Sequence, residues 1–186
     1  MVIYIEYTIW LIDFIMKDLI KKILKEETQD EYILEIPNLR FIPGADLESL
    51  IGKYKTWNEL LRLLNGKPFI FDDDLNLYNS YITSLGNLRS VNGYLNLFGC
   101  DQLTSLGNLQ SINGYLDLSQ CTQLISLGNL QSVNSYLDLV RCDELTSLGN
   151  LQSVGGFLDL RNTPISEKYS EEEIRQMVDV KGDIFI

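Results

Sequence analysis

The chain has 186 residues, 45% of them hydrophobic, and its 26 acidic against 15 basic residues give a formal charge of −11. This apolar content can fill a packed core, whereas the negative field repels phosphate backbones and argues against direct nucleic-acid binding. Histidine is absent from the whole sequence, which removes the commonest general base and the commonest zinc ligand and argues against catalysis.

The first 24 residues are very apolar, but Glu6, Asp13, Lys17 and Asp18 interrupt them. No stretch reaches the roughly 20 apolar residues of a membrane span, and no signal-peptide cleavage pattern follows. The spacing instead predicts an amphipathic helix. The three cysteines, an odd number without paired spacing, are typical of a reducing compartment, so we expect a cytoplasmic protein without a membrane span.

Residues 31–67 predict a strand at YILEI, a helix at 46–54 and another helix over 57–64. Thr56 with Glu59 forms a capping-box pattern before the last helix, and Gly66 is a plausible stop. Together with the first helix, these elements make residues 1–67 an N-terminal helical capping region.

A phrase containing SLGNL recurs through residues 75–165, with its serine at positions 84, 105, 126 and 147, a constant period of 21 residues. Such a period predicts stacked units that share one core. Leucines alternate with polar residues in each unit, which is typical of a short strand with its leucines pointing inward. The leucines predicted to be buried are Leu95, Leu97, Leu116, Leu118, Leu137 and Leu139. We expect about six parallel strands, beginning near Leu75, Leu95, Leu116, Leu137, Leu158 and Ile184.

Two further columns of the repeat are assigned to structure. The cysteines 100, 121 and 142 align after the strand, where we expect them to be reduced and to point inward, since a line of thiols does not converge on a metal ion. The SLGNL asparagines are expected to stack and to satisfy backbone groups at the corners. We therefore predict no metal site and no cofactor.

The outward strand positions form an aromatic column and an acidic column. Packing does not dictate these positions, and tyrosine is a good interface residue, so we predict that they contact a partner. Duplication of one unit also explains the repeated aspartates, which repel one another across adjacent strands. The predicted contact residues are Tyr94, Tyr115, Tyr136 and Phe157, then Asn96, Asp117, Asp138 and Asp159, and Phe98 of the next, variable column.

The end of the chain predicts a second cap. Ser170 followed by three glutamates predicts a helix over 171–178, and GDIFI predicts a last strand. Residues 68–165 are then the solenoid and residues 166–186 the C-terminal helix and strand. Residues 68–186 carry 15 acidic and six basic residues, so the acidic excess belongs to the solenoid.

The phrase LDLSQCTQLISL resembles the leucine-rich repeat LxLxxN/C-x-x-L, and SLGNLQSVNSYLDL is similar to the repeats of receptor L domains. This resemblance covers residues 75–165. The short repeats and the closing TPISEKYSEEEIRQMV are similar to small leucine-rich-repeat proteins of bacteriophages or bacterial mobile elements. The chain departs from the commonest repeats by its shorter period and by lacking a helical signal on the convex side. The predicted fold class is α+β, a leucine-rich-repeat-like parallel β-solenoid with two caps.

These features favour a non-catalytic protein–protein interaction module, in which an acidic solenoid binds a basic protein surface. The bacteriophage resemblance implies an inhibitor of a host nucleic-acid-binding defence complex such as CRISPR, acting in the host cytoplasm. Two alternatives stay open. One is a carboxylate-based hydrolase, although a regular aspartate column gives its members similar environments rather than separated pKa values. The other is a structural protein that self-associates through the N-terminal helix.

Overall fold

The computed structural model describes residues 34–36, 57–64 and 66–186. Across these ranges the chain winds into a parallel β-solenoid of about four coils, each coil being one unit of about 21 residues. We number the coils by their SLGNL serines, from the first coil (Ser84) to the fourth (Ser147). The described part of the chain holds no helix long and apolar enough to cross a membrane.

Each coil contributes one short strand to each of two parallel sheets. The first sheet contains β1 (Leu34–Ile36), β2 (Phe69–Phe71), β4 (Leu88–Val91), β6 (Ser111–Ile112), β8 (Ser132–Val133), β10 (Ser153–Val154) and β12 (Asp179–Val180). The second sheet contains β3 (Leu75–Asn76), β5 (Leu95–Asn96), β7 (Leu116–Asp117), β9 (Leu137–Asp138), β11 (Leu158–Asp159) and β13 (Ile184–Phe185).

The second sheet contains all six predicted strands at the predicted starting residues. Its register pairs each residue with its equivalent in the next coil, as Leu116 pairs with Leu137 and Asp117 with Asp138. Apart from β1, which lies within the predicted YILEI strand, the first sheet was not predicted. Most of its strands contribute only two residues to the ladder, as Ser111 and Ile112 do, so its alternation is too short to stand out in the sequence.

The core is a set of apolar columns between the two sheets. The six strand leucines predicted to be buried are fully inaccessible: Leu95, Leu97, Leu116, Leu118, Leu137 and Leu139. Val91 and Ile112 of the first sheet close the core from the other side and are equally inaccessible. Burial of side chains of this size stabilises the fold by roughly 1.5–3 kcal/mol each, so the leucine columns hold the solenoid together.

The SLGNL corner depends on serine and glycine. Ser105 Oγ accepts a hydrogen bond from the Gly107 N–H at 2.9 Å, and Gly107 has φ 60°. A Cβ atom at Gly107 would lie 2.1 Å from the Gly86 carbonyl oxygen. The close approach of adjacent coils therefore requires glycine at this corner.

The asparagines stack as predicted. Asn108 Nδ2 donates to Asn87 Oδ1 at 2.7 Å, and Asn129 Nδ2 donates to the Gly107 carbonyl at 3.3 Å. A second column, at the corner between the two sheets, does the same, since Asn113 Nδ2 donates to Asn92 Oδ1 at 3.3 Å. Side-chain amides thus join the coils where the backbone leaves the sheets.

One joint between coils is open at the SLGNL corner. β-Bridges join Ser84 to Ser105 and Ser126 to Ser147, and within these described corners no bridge joins Ser105 to Ser126. The Asn108 and Asn150 N–H groups donate to the preceding coil's glycine carbonyl at 2.9 Å, whereas Asn129 reaches it with its side chain. A Cβ atom at Gly128 would meet no atom within 4 Å. We call this joint, between the second and third coils, the seam.

Three helices flank the solenoid in the described residues: α1 (Trp57–Leu64), α2 (Pro164–Lys168) and α3 (Glu171–Met177). Helix α1 has the predicted bounds, and Gly66 behind it has φ 78°, as a helix stop requires. Trp57 is buried and donates through Nε1 to the Ser84 carbonyl at 3.1 Å. Strand β1 lies within the predicted YILEI, and the predicted helices over the first 24 residues and over 46–54 lie outside the described residues.

The C-terminal cap has the predicted helix and strand. Ser170 accepts from the Glu173 N–H and Glu173 returns a bond to the Ser170 N–H, a complete capping box. Helix α2 was not predicted, although Thr163 forms a second capping box with Ser166. Arg175 ties α3 to the last strands through the Val180 carbonyl at 2.9 Å. The cap thus delivers β13 to the edge of the second sheet.

Candidate functional site

The outward side of the second sheet, here called the strand face, brings the predicted contact residues together. The register aligns Asn96, Asp117, Asp138 and Asp159 on adjacent strands. The aromatic residues lie immediately before these strands and form a parallel column. The predicted columns therefore share one surface.

The aromatic column is a continuous stack, here called the aromatic ladder (Tyr94, Tyr115, Tyr136 and Phe157). Successive ring centroids are 4.7 Å apart and the ring planes are within 5° of parallel. Phe157 then meets Phe185 edge to face at 5.9 Å. Both faces of the two inner rings are covered by their neighbours, so Tyr115 and Tyr136 present ring edges and hydroxyls rather than ring faces.

The tyrosine hydroxyls of the ladder resist ionisation. Burial, followed by the neighbouring Tyr136 and Tyr94, raises the pKa of Tyr115 to about 12. Burial also raises the pKa of Tyr136, with Asp117 and Asp138 adding to the shift. These hydroxyls therefore stay neutral at physiological pH and can both donate and accept hydrogen bonds.

Each residue of the acidic column forms a hydrogen bond to the backbone of its own coil. Asp117 Oδ1 accepts from the Ser119 N–H at 2.9 Å, and Asp138 Oδ1 accepts from the Val140 N–H at 3.0 Å. Asn96 makes the same bond to the Phe98 N–H at 3.0 Å. Aspartate or asparagine is therefore selected here by its short side chain, which bonds the backbone two residues on.

Asp159 differs from the prediction because it lies beneath the surface. Only 4% of this residue is exposed, and Arg161 covers it through N···O contacts of 2.6 to 3.2 Å. The Arg161 guanidinium also lies 5.6 Å from the Phe185 ring centroid. The strand face therefore offers a guanidinium at this coil, where the sequence predicts a carboxylate.

The environment of Asp138 disfavours the ionised form of its carboxyl group. Burial raises its pKa above the ordinary value, and the neighbouring Asp117 and Asp159 raise it further. The Val140 N–H and the Arg161 charge oppose this shift. The charge of Asp138 is therefore less well compensated than its hydrogen bond alone suggests.

A shallow depression of about 410 Å³ lies beside the acidic column, at the ends of the strands. Three of its lining residues, Gln120, Arg141 and Asn162, have φ near 60°, a left-handed conformation that is unfavourable for glutamine and arginine and more readily adopted by asparagine. The lining residues are Phe98, Ser119, Gln120, Asp138, Val140, Arg141, Arg161 and Asn162. Only Phe98 and Asp138 of this set were predicted as contact residues, although most of the others occupy columns that vary between near-identical repeats.

The cysteine column lies away from this surface, and its inward orientation is confirmed. Each of the three cysteines is fully buried, and Cys121 Sγ donates to the Leu97 carbonyl at 3.3 Å. Burial raises the pKa of Cys100 to about 11 and that of Cys142 to about 12. These thiols are poor nucleophiles at physiological pH, because the reactive thiolate form is suppressed.

Comparison of the chain with protein-family models, with curated proteins and with solved structures gave no match.

Proposed function

We propose that this chain is a non-catalytic protein–protein interaction module whose strand face binds a basic surface of another protein. The observation that carries the proposal is the alignment of the aromatic ladder and the acidic column along one continuous sheet. The solenoid and its C-terminal cap supply a matching field, since residues 68–186 carry 15 acidic against six basic residues. Complementary charge of this kind increases association rate and selects the partner.

The aromatic ladder would contribute rigidity to such an interface. Its inner rings are held between neighbours 4.7 Å away on both sides, so they lose little conformational freedom on binding. Pre-ordering of this kind lowers the entropy cost of association. The ladder edge then supplies contact area and hydroxyl groups, while the aspartates supply charge.

The resemblance to small leucine-rich-repeat proteins of bacteriophages or mobile elements extends this proposal to a class of partner. In that setting the partner is a host nucleic-acid-binding defence complex such as CRISPR, whose basic channel the acidic solenoid would occupy in the host cytoplasm. The repeat phrase and the negative charge support this assignment. Residues 1–67 would then act as a helical cap, which an open solenoid end needs for solubility.

The experiment begins with affinity capture from candidate host cells and identification of the partner by mass spectrometry. Binding is then measured at several salt concentrations for the double substitution Asp117→Asn and Asp138→Asn. We expect weaker binding and a smaller salt dependence, because two charges leave the face while the backbone hydrogen bonds remain possible.

The matched control is the double substitution Glu167→Gln and Glu172→Gln on exposed positions of α2 and α3. It removes the same charge away from the strand face and is expected to change binding much less. Equal weakening by both pairs would show that net charge, and not the strand face, governs binding. Unchanged binding in both would place the interface elsewhere.

A further inference from the structure

The acidic column follows a pairing pattern that one coil breaks. Asp117 accepts a hydrogen bond from the Ser119 hydroxyl at 2.5 Å. Asp159 is paired with Arg161 at 2.6 Å. In both places the residue two positions after the aspartate supplies a side-chain donor. After Asp138 the corresponding residue is Val140, which has none.

Two coils carry a neutral asparagine in the acidic column. Two positions after Asn96 stands Phe98, and two positions after Asn76 stands Tyr78. An amide beside an aromatic residue carries no charge that needs a counterion. Asp138 combines the charge of an aspartate with an apolar neighbour, so among the described residues it lacks the side-chain donor that Asp117 and Asp159 have.

The depression lies where this side-chain donor is missing. Ser119 and Val140 are small side chains, and the larger Phe98 and Arg161 also line the depression. Asp138 lines it as well. Space, the apolar side chains of Phe98 and Val140, and a carboxylate without a side-chain partner in the described part of the chain therefore occur at one place on the strand face.

We propose that this depression receives an arginine side chain of the partner protein, whose guanidinium binds Asp138 as Arg161 binds Asp159. This inference rests on the proposed function, because it names the group by which a basic partner is recognised. Arg161 supplies the template within the chain, since its Nε and Nη2 atoms both contact the Asp159 carboxylate. Guanidinium fits the site better than ammonium, because it binds carboxylates in a two-point geometry and stacks on apolar and aromatic groups.

The charge of Arg141 allows the direction of a change in binding to be predicted. This exposed cation lines the depression in a left-handed conformation with φ 59°, and no ion pair is found for it within the described residues. It would repel an incoming guanidinium. The substitution Arg141→Asn is therefore expected to strengthen arginine binding, and asparagine suits the backbone because Asn162 occupies the same column with φ 59°.

The probe is the peptide acetyl-Gly-Arg-Gly-amide, titrated into the full chain while side-chain carboxyl carbons are followed by NMR. We expect the Asp138 signal to move and to saturate, with Asp117 moving less. Asp138→Asn should weaken binding of the peptide by about tenfold or more, because a charge-assisted pair is lost. The peptide with lysine in place of arginine should bind more weakly.

Two arginine substitutions separate occupation of the site from a general effect of charge or loss of the fold. Val140→Arg should pair with Asp138 within the chain and block the peptide, whereas Thr146→Arg, at an exposed position outside the depression, should leave binding unchanged. Circular dichroism checks that both variants are folded. Peptide binding that survives both Asp138→Asn and Val140→Arg would overturn the inference. Weaker peptide binding after Arg141→Asn would overturn it as well, because removal of a repelling cation should favour a guanidinium bound at this place.

Partner binding distinguishes this inference from the proposed function. Val140→Arg should weaken binding of the partner protein. Thr146→Arg adds the same charge at another edge and should leave this binding unchanged. If Val140→Arg has no effect while the double asparagine variant does, the arginine site is wrong and the interaction module stands. If the peptide binds Asp138 but no strand-face variant affects the partner, the site stands and the proposed function is wrong.

Discussion

Tyr115 and Tyr136 lie stacked one coil apart, with ring centroids separated by 4.7 Å and ring planes inclined by 4°. This separation matches the distance of about 4.8 Å between neighbouring strands of a sheet. The strand spacing therefore sets the stack, and each ring occupies the position that the backbone gives it. The aromatic ladder is a part of the fold as well as of the proposed interface.

Truncation of one inner ring should destabilise the protein. Tyr136 stacks on both Tyr115 and Phe157, so Tyr136→Ala should lower the free energy of unfolding by about 1–3 kcal/mol through two lost stacks. Tyr136→Phe should change it little, because Phe157 already occupies the ladder. Urea unfolding followed by circular dichroism provides the measurement. Equal destabilisation by both substitutions would show that the hydroxyl, not the stack, is what matters.

Substitutions in the acidic column should depend on length more than on charge. Asp117→Asn should retain the bond to the Ser119 N–H, as Asn96 shows for its own coil. Asp117→Lys cannot make this bond and should lower the free energy of unfolding by about 1 kcal/mol or more. Thermal unfolding of the two variants checks the difference. A lysine variant as stable as the asparagine variant would show that the hydrogen bond contributes nothing measurable.

The ionisation of Asp138 should oppose folding. Its pKa in the folded protein is raised above the ordinary 3.8, so the folded state holds this proton more tightly than the unfolded chain does. The contribution of Asp138 to stability is therefore greatest below the unfolded pKa and declines as pH rises through the folded pKa. Asp138→Asn should raise stability at pH 7 but not below pH about 3. Carboxyl NMR titration that gives a lowered pKa would contradict this expectation.

Two glycines with the same backbone conformation should respond differently to alanine. Gly107 and Gly128 have φ of 60° and 57°, so each substitution incurs the cost of a left-handed alanine. Only at Gly107 would the new Cβ also collide with a carbonyl, 2.1 Å away. Gly107→Ala should therefore be more destabilising than Gly128→Ala by about 1–3 kcal/mol in urea unfolding. Equal effects would mean that the seam is closed in solution.

Much of the fold follows from the sequence, because the repeat reports the same structure several times. The 21-residue period places the strands of the second sheet, and the leucine alternation identifies the core. Helix α1 and the capping box at Ser170 are local signals that need no knowledge of distant residues. The two-residue strands of the first sheet were not predicted, because a strand of this length shows almost no alternation of apolar and polar residues.

The candidate site was predicted less completely, since contacts within a coil decide which outward residues are free. The columns predict that Asp159 is a contact residue, yet Arg161 covers it. Gln120, Val140 and Arg141 were not predicted as contact residues, because their common depression depends on the relative sizes of neighbouring side chains. Sequence spacing gives the column of a residue but not the group that lies over it.

The seam gives the solenoid a place of mechanical weakness. Elsewhere adjacent coils are tied along both sheets and at the SLGNL corner, whereas the second and third coils lack the bridge between their serines. The exposed Ile125 also replaces the threonine found at this position in the flanking coils. If the molecule were stretched along its axis, we expect separation of the coils to begin at this corner, where the second and third coils keep their pairing in both sheets but lack the serine bridge.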